Sequence, residues 1–218
     1  MNLPFTVDEF FAVFERYNLA IWPAQVMAYA AAAIALGLAL FRPGRSADRT
    51  VGFVLAAFWT GMGAGYHLTF FRAINPLALP AGVLFVVQGA LLVLATVRGS
   101  LSFPRRLDAH AILGLAFVAY AMIAYPLLGA AAGHRFPRSP VFGVAPCPTT
   151  IFTFGLLLLA RGRVPGWLLP IPLAWSMVGL SAALQLGVSE DLGLPVAGVV
   201  GTAAILVRNR RAAPADRT

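Results

Sequence analysis

Apolar residues run along this chain in long unbroken stretches, and the polar residues fall between them. Crossing a hydrocarbon core of about 30 Å as helix takes around 20 apolar residues. Residues 20–41, 51–71, 77–97, 109–131 and 165–187 meet that length, while 148–160 and 192–207 are shorter. None of the seven stretches contains Asp, Glu, Arg or Lys. The pattern predicts an all-α bundle of seven transmembrane helices, in which 20–207 hold the spans.

Residues 1–19 carry a different signal. Thr6 and Glu9 have the spacing of a capping box, and Phe5 with Phe10 fits the hydrophobic staple around it. Phe10, Val13, Phe14 and Tyr17 recur on one helical face, with Asp8, Glu9, Glu15 and Arg16 largely elsewhere. This predicts a short helix lying on the outer membrane surface. Its acidic residues, with no basic start or small-residue cleavage site, do not read as a cleavable signal.

Charge changes the picture by giving an orientation. The 218 residues are 60% hydrophobic and 11% charged, with a net charge of +8, and every basic residue is arginine. Ordinary soluble domains have about 25% charged residues, so a water-soluble globule is excluded. The lack of lysine excludes Schiff-base and P-loop chemistry. Positive loops stay cytoplasmic. With the amino terminus outside, the inner loops collect Arg42, Arg45 and Arg49, then Arg98, Arg105 and Arg106, then Arg161 and Arg163. The tail at 208–218 adds Arg208, Arg210, Arg211 and Arg217, leaving Arg16, Arg72, Arg135 and Arg138 outside. The basic excess therefore reads as topology and not as a nucleic-acid footprint. One integral membrane domain, 1–218, is expected, with the carboxyl terminus inside.

That orientation gathers the chemistry-bearing residues on the outer side. His67 lies near the outer end of the second span, His134 in the loop after the fourth, and Glu190 and Asp191 before the seventh. Cys147 sits in Pro146-Cys147-Pro148-Thr149-Thr150, where Pro148 is expected to open the fifth helix and leave the thiol at its cap. That helix is too short to span, so part of 136–147 is expected to dip inward as irregular backbone walled by protein or a cavity. A thiol at a helix amino terminus favours thiolate, the form that binds soft metals. His67, Cys147, His134 and Asp191 are the candidate metal ligands, and copper, zinc or mercury would suit them. Thr149, Thr150 and Thr153 are the candidate substrate contacts, including for an anion held where the fifth helix begins.

Each residue also has a plainer reading. Cys147 serves equally as a small buried residue, and Glu190 and Asp191 as acidic caps of the last helix. Gln25, Gln88 and Gln185 read as hydrogen-bonding glue between helices, and Gly61 with Gly65 as a GxxxG packing step. No HExxH, GxSxG or CxxC motif is present.

Tyr66-His67, Ile74-Asn75-Pro76, Pro146–Thr150 with Phe152-Thr153-Phe154-Gly155, Trp175-Ser176 and Glu190-Asp191 together resemble an uncharacterised family of bacterial multi-pass membrane proteins. The resemblance implies a bacterial inner membrane and brings no activity with it. The reading is a small permease or membrane-embedded binding protein for a metal cation or small solute, its site opening to the periplasm. The alternatives are a membrane enzyme using His67 and Cys147, or a non-catalytic assembly partner of another membrane protein.

Overall fold

The computed structural model describes residues 4–103 and 107–211; Arg105, Arg106 and Arg217 of the topology argument lie outside them. The described residues form helices and loops, with no strand among them. Five helical runs are long and apolar enough to cross a membrane: Ala24–Phe41, Ala78–Val97, Ala109–Ala131, Gly166–Leu186 and Ser189–Arg211. Pro146–Leu159 is apolar but shorter. Outward-facing Met27, Leu127 and Leu184 are among the large apolar side chains left exposed, a surface compatible with contact with a lipid bilayer.

Helix α1 (Val7–Ala20) begins as its sequence dictates. Thr6 Oγ1 accepts from the Glu9 N–H, and the Glu9 carboxylate accepts from the Thr6 N–H at 2.7 Å. The Phe5 and Phe10 rings stack at 6.1 Å, completing the staple. The apolar face is buried against protein, however. Phe14 stacks on Tyr66, Phe11 stacks on His134, and Tyr17 donates to the Val144 carbonyl. Asp8 pairs with Arg138, so both faces of α1 are tied to the bundle. The helix is a cover docked on one end of the protein.

Helices α2 (Ala24–Phe41) and α3 (Arg45–Gly61) follow, and α3 continues without a break as a π-helical stretch, Met62–Phe70. This wider coil changes the phase of the residues beyond Gly61. Gly61 faces open space, and Gly63 makes the close approach, where an added Cβ would lie 2.8 Å from the Gly82 carbonyl. The expected Gly61–Gly65 step is thus replaced by a Gly63–Gly82 contact with α4 (Ala78–Val97). Two of the three glutamines act as expected: Gln25 donates to the Asn18 carbonyl and Gln88 to that of Leu168, whereas Gln185 is exposed.

Helix α5 (Ala109–Ala119) starts at Asp108, whose carboxylate accepts from the Ala111 N–H. It passes through a π turn into α6 (Tyr125–Ala131). Helix α7 (Pro146–Leu159) is the axis of the molecule: every residue but Cys147 is buried, and α2, α3, α5, α8 (Pro170–Leu186) and α9 (Gly193–Arg211) all touch it. A helix apolar on every side belongs in a core. Its foot is closed by Arg208 of α9, which donates to the carbonyls of Leu157, Leu158 and Ala160 at 3.1, 2.8 and 2.8 Å. Asn209 exchanges two hydrogen bonds with the Val164 backbone just beyond.

The stretch entering α7 is irregular and partly buried within the protein. Phe142 and Ala145 are nearly inaccessible. Its backbone is satisfied by side chains: Asn18 donates to the Pro137 and Ser139 carbonyls, and Thr149 Oγ1 accepts from the Gly143 N–H. Non-helical backbone buried within protein requires such partners.

Candidate functional site

The head of α7 is where the polar residues meet. The helix begins at Pro146, two residues earlier than expected, and Cys147 is its second residue. Neither the first nor the third position of a helix has an intrahelical acceptor for its N–H, so both prolines fit there without loss. The same arrangement removes two of the three free amides that an anion would use. Only the Cys147 amide remains, which undercuts the anion reading.

The threonines are engaged internally. Thr149, Thr150 and Thr153 are fully buried, and each hydroxyl donates at 2.8 Å to the carbonyl four residues back. Thr153 also accepts from the Trp59 indole N–H at 3.0 Å. Their hydroxyls stitch α7 to itself and to α3.

Cys147 is half-buried, and its thiol lies beside the Asp191 carboxylate and the Trp175 indole. Trp175 Nε1 approaches this sulfur without a hydrogen bond of good geometry. Asp191 also accepts from the Tyr125 hydroxyl. The adjacent Glu190 is 1% exposed, and its Oε1 lies 2.8 Å from His134 Nδ1. Glu190 Oε2 has no hydrogen-bond partner. The Tyr120 hydroxyl donates to the Glu190 carbonyl and holds the turn in place.

Glu190 and Asp191 are therefore not caps of the last helix. They occupy a short 3-10 turn, Ser189–Leu192, that points Asp191 toward Tyr125 at the start of α6 and Glu190 toward Gly129 and His134 at its end. Gly129 of α6 permits this approach, since an added Cβ would stand 2.9 Å from Glu190 Oε1.

His67 occupies the π-helical stretch beside α4 and is fully buried. Its ring is enclosed by Tyr66, Phe71, Phe85 and Trp175, with the Trp175 ring centre 5.0 Å away. Neither ring nitrogen has a hydrogen-bond partner. A π-helical insertion in an otherwise α-helical run is frequent at functional positions.

Of the four candidate ligands, then, Cys147 and Asp191 meet directly, His67 meets Trp175, and His134 meets Glu190. Among the described residues no group of three or more His, Cys, Asp or Glu side chains is arranged to hold a metal ion. No hydrogen bond joins an imidazole to the thiol among them either, as a thiol–imidazole–carboxylate set requires. His110 lies in the first turn after the Asp108 cap, apart from this cluster.

A cleft of about 310 Å³ opens onto the cluster, with Tyr125, Gly129, His134, Ser139 and Glu190 in its wall. Three participants were not singled out from the sequence: Tyr125, Trp175 as a contact of both His67 and Cys147, and Glu190 as a residue turned inward. Two neighbouring acids between apolar spans, flanked by glycine and proline, were the available signal for Glu190.

No curated protein and no solved structure matches this chain. A family model does match it across residues 7–216, nearly its full length. The chain belongs to the family of unknown function DUF6064.

Proposed function

We propose that the chain crosses a bacterial inner membrane seven times, amino terminus outside, and serves as a small permease or membrane-embedded cation-binding protein. The seven helical runs after α1 and the bias of arginines toward one side support this topology. The site is the cluster at the head of α7, reached from the periplasm through the cleft beside His134.

One observation carries this reading: Glu190 Oε2 is buried and unpartnered in the wall of an open cleft, with Asp191 next to it. A carboxylate oxygen in that setting calls for a proton or a cation, because leaving it bare costs several kcal/mol by a rough estimate. Ionisable side chains inside membranes commonly mark ion or proton pathways. The oxygen donors at hand, the Glu190 and Asp191 carboxylates and the Tyr125 hydroxyl, favour a hard cation or a proton over copper, zinc or mercury. A soft ion would need His67 and Cys147 to converge on it, and each instead faces Trp175.

The test is thermal unfolding of the purified full chain, titrated with sodium, calcium, zinc and copper salts at several pH values. Stabilisation by a hard cation or by protons should vanish in Glu190→Gln and persist in Cys147→Ser. Equal responses in the wild type and Glu190→Gln refute the carboxylate site. Stabilisation by copper or zinc alone, lost in Cys147→Ser, replaces it with the soft-metal site.

A further inference from the structure

The opposite end of the molecule holds a second cleft, of about 380 Å³, between the start of α3 and the end of α4. We propose that this cleft binds the phosphate headgroup of an acidic phospholipid. Arg45 and Arg49 project one turn apart from α3, and Arg98 follows the last residue of α4. Residues four apart on a helix share a face, so three guanidiniums border one opening.

Two polar side chains in the cleft are held by the protein itself. Asp48 accepts from the Phe103 N–H at 2.7 Å, and the Thr96 hydroxyl donates to the Leu92 carbonyl at 2.7 Å. Among the described residues none of the three guanidiniums has a salt-bridge partner. Three positive groups thus surround one carboxylate, which leaves the cleft in need of an anion. Arginine matches phosphate in particular, through paired N–H donors in one plane. Helix α3 also opens on Gly44 with no side-chain cap, so its first amides face the same end.

Position distinguishes a lipid from a dissolved ion. The cleft lies at the end of α4, a helix long and apolar enough to cross a membrane, and Val97 in its wall is 60% exposed. Phe53 and Val93, farther along α3 and α4, are exposed as well. A free phosphate makes no use of that apolar surface, whereas a phospholipid places its acyl chains along it. Basic pockets between membrane helices are a recognised means of holding acidic headgroups.

The experiment uses the full chain reconstituted in phosphatidylcholine nanodiscs, with and without one-fifth phosphatidylglycerol, reading the unfolding midpoint and the lipids retained in native mass spectrometry. Phosphatidylglycerol should raise the midpoint and be retained preferentially. Each of Arg45→Gln, Arg49→Gln and Arg98→Gln should weaken that preference about fivefold, by the typical contribution of one basic residue near an acidic surface. The triple variant should abolish it. Arg16→Gln, at the other end, should keep it. The midpoint in phosphatidylcholine alone reports whether each variant folds, and the single variants carry the test if the triple one does not. The proposal is overturned if the preference survives in all three single variants. It is equally overturned if inorganic phosphate reproduces the phosphatidylglycerol effect.

Discussion

At its foot, α7 ends on carbonyls that Arg208 gathers in one guanidinium. At its head, it begins beside a thiol, two carboxylates and an indole whose partners are incomplete. Both ends are buried, and both bring charged side chains from the last part of the chain. The foot satisfies the backbone of a core helix, as a buried polar group must for stability. The head leaves Glu190 Oε2 and both nitrogens of His67 without partners, a cost that a binding site can recover when its ligand arrives. The foot of the helix is closed by side-chain donors, whereas its head faces groups that still lack partners.

The sharpest way to break this contrast is at the foot. Arg208→Ala leaves three carbonyls of a buried helix end short of a donor, and should lower stability by about 3 kcal/mol or more in thermal unfolding. Arg208→Lys should recover part of the loss, because an ammonium lacks the guanidinium fork. Full stability in the alanine variant would show that the foot is no more structural than the head.

Midway along α7, Gly155→Ala adds a Cβ 2.8 Å from both the Gly114 carbonyl and the Val118 side chain. Overpacking there should cost about 1–3 kcal/mol, read by the same melt. At the head the expectation reverses. Asp191→Asn and Glu190→Gln keep shape and volume, and should change stability by about 1 kcal/mol or less while abolishing cation-dependent stabilisation. Variants that unfold instead would make the head a structural element and remove the distinction.

The smallest effect lies in the cover, α1. Backbone and hydroxyl donors of Thr6 hold the Glu9 carboxyl below its ordinary value of 4.5. A carboxyl lowered in this way favours the folded helix above its unfolded value, and that support fades as pH falls from about 4.5 through the lower folded value. Glu9→Gln should remove this acid dependence from proteolysis of the amino-terminal segment, leaving the rest of the chain's melt unchanged. An identical pH profile in the variant would count against the capping box as its source.

Features set by neighbours in sequence could be read before the structure was known. Thr6, Glu9, Phe5 and Phe10 determine the start of α1 locally, and unbroken apolar runs gave the helical stretches to within a few residues. Features set by phase or by distant contacts could not. The π stretch after Gly61 has no compositional mark, and the packing glycine is Gly63, within it. Glu190 and Asp191 resembled caps because their sequence position suits one; only the turn at Ser189–Leu192 shows them facing inward. Arg208 read as one more tail arginine. Its register with Leu194, Ala197, Gly201 and Ile205, all buried on one stripe of α9, was the clue that set it apart from Arg210 and Arg211.

The clamp formed by Arg208 and Asn209 also has a consequence for biogenesis. Chains are made from the amino terminus onward, and these two residues leave the ribosome about fifty positions after the helix end and the following turn that they hold. Until then the core of the protein stays unfinished at that edge. A ribosome halted before Arg208 would leave an assembly that has every hydrophobic segment and still lacks its keystone.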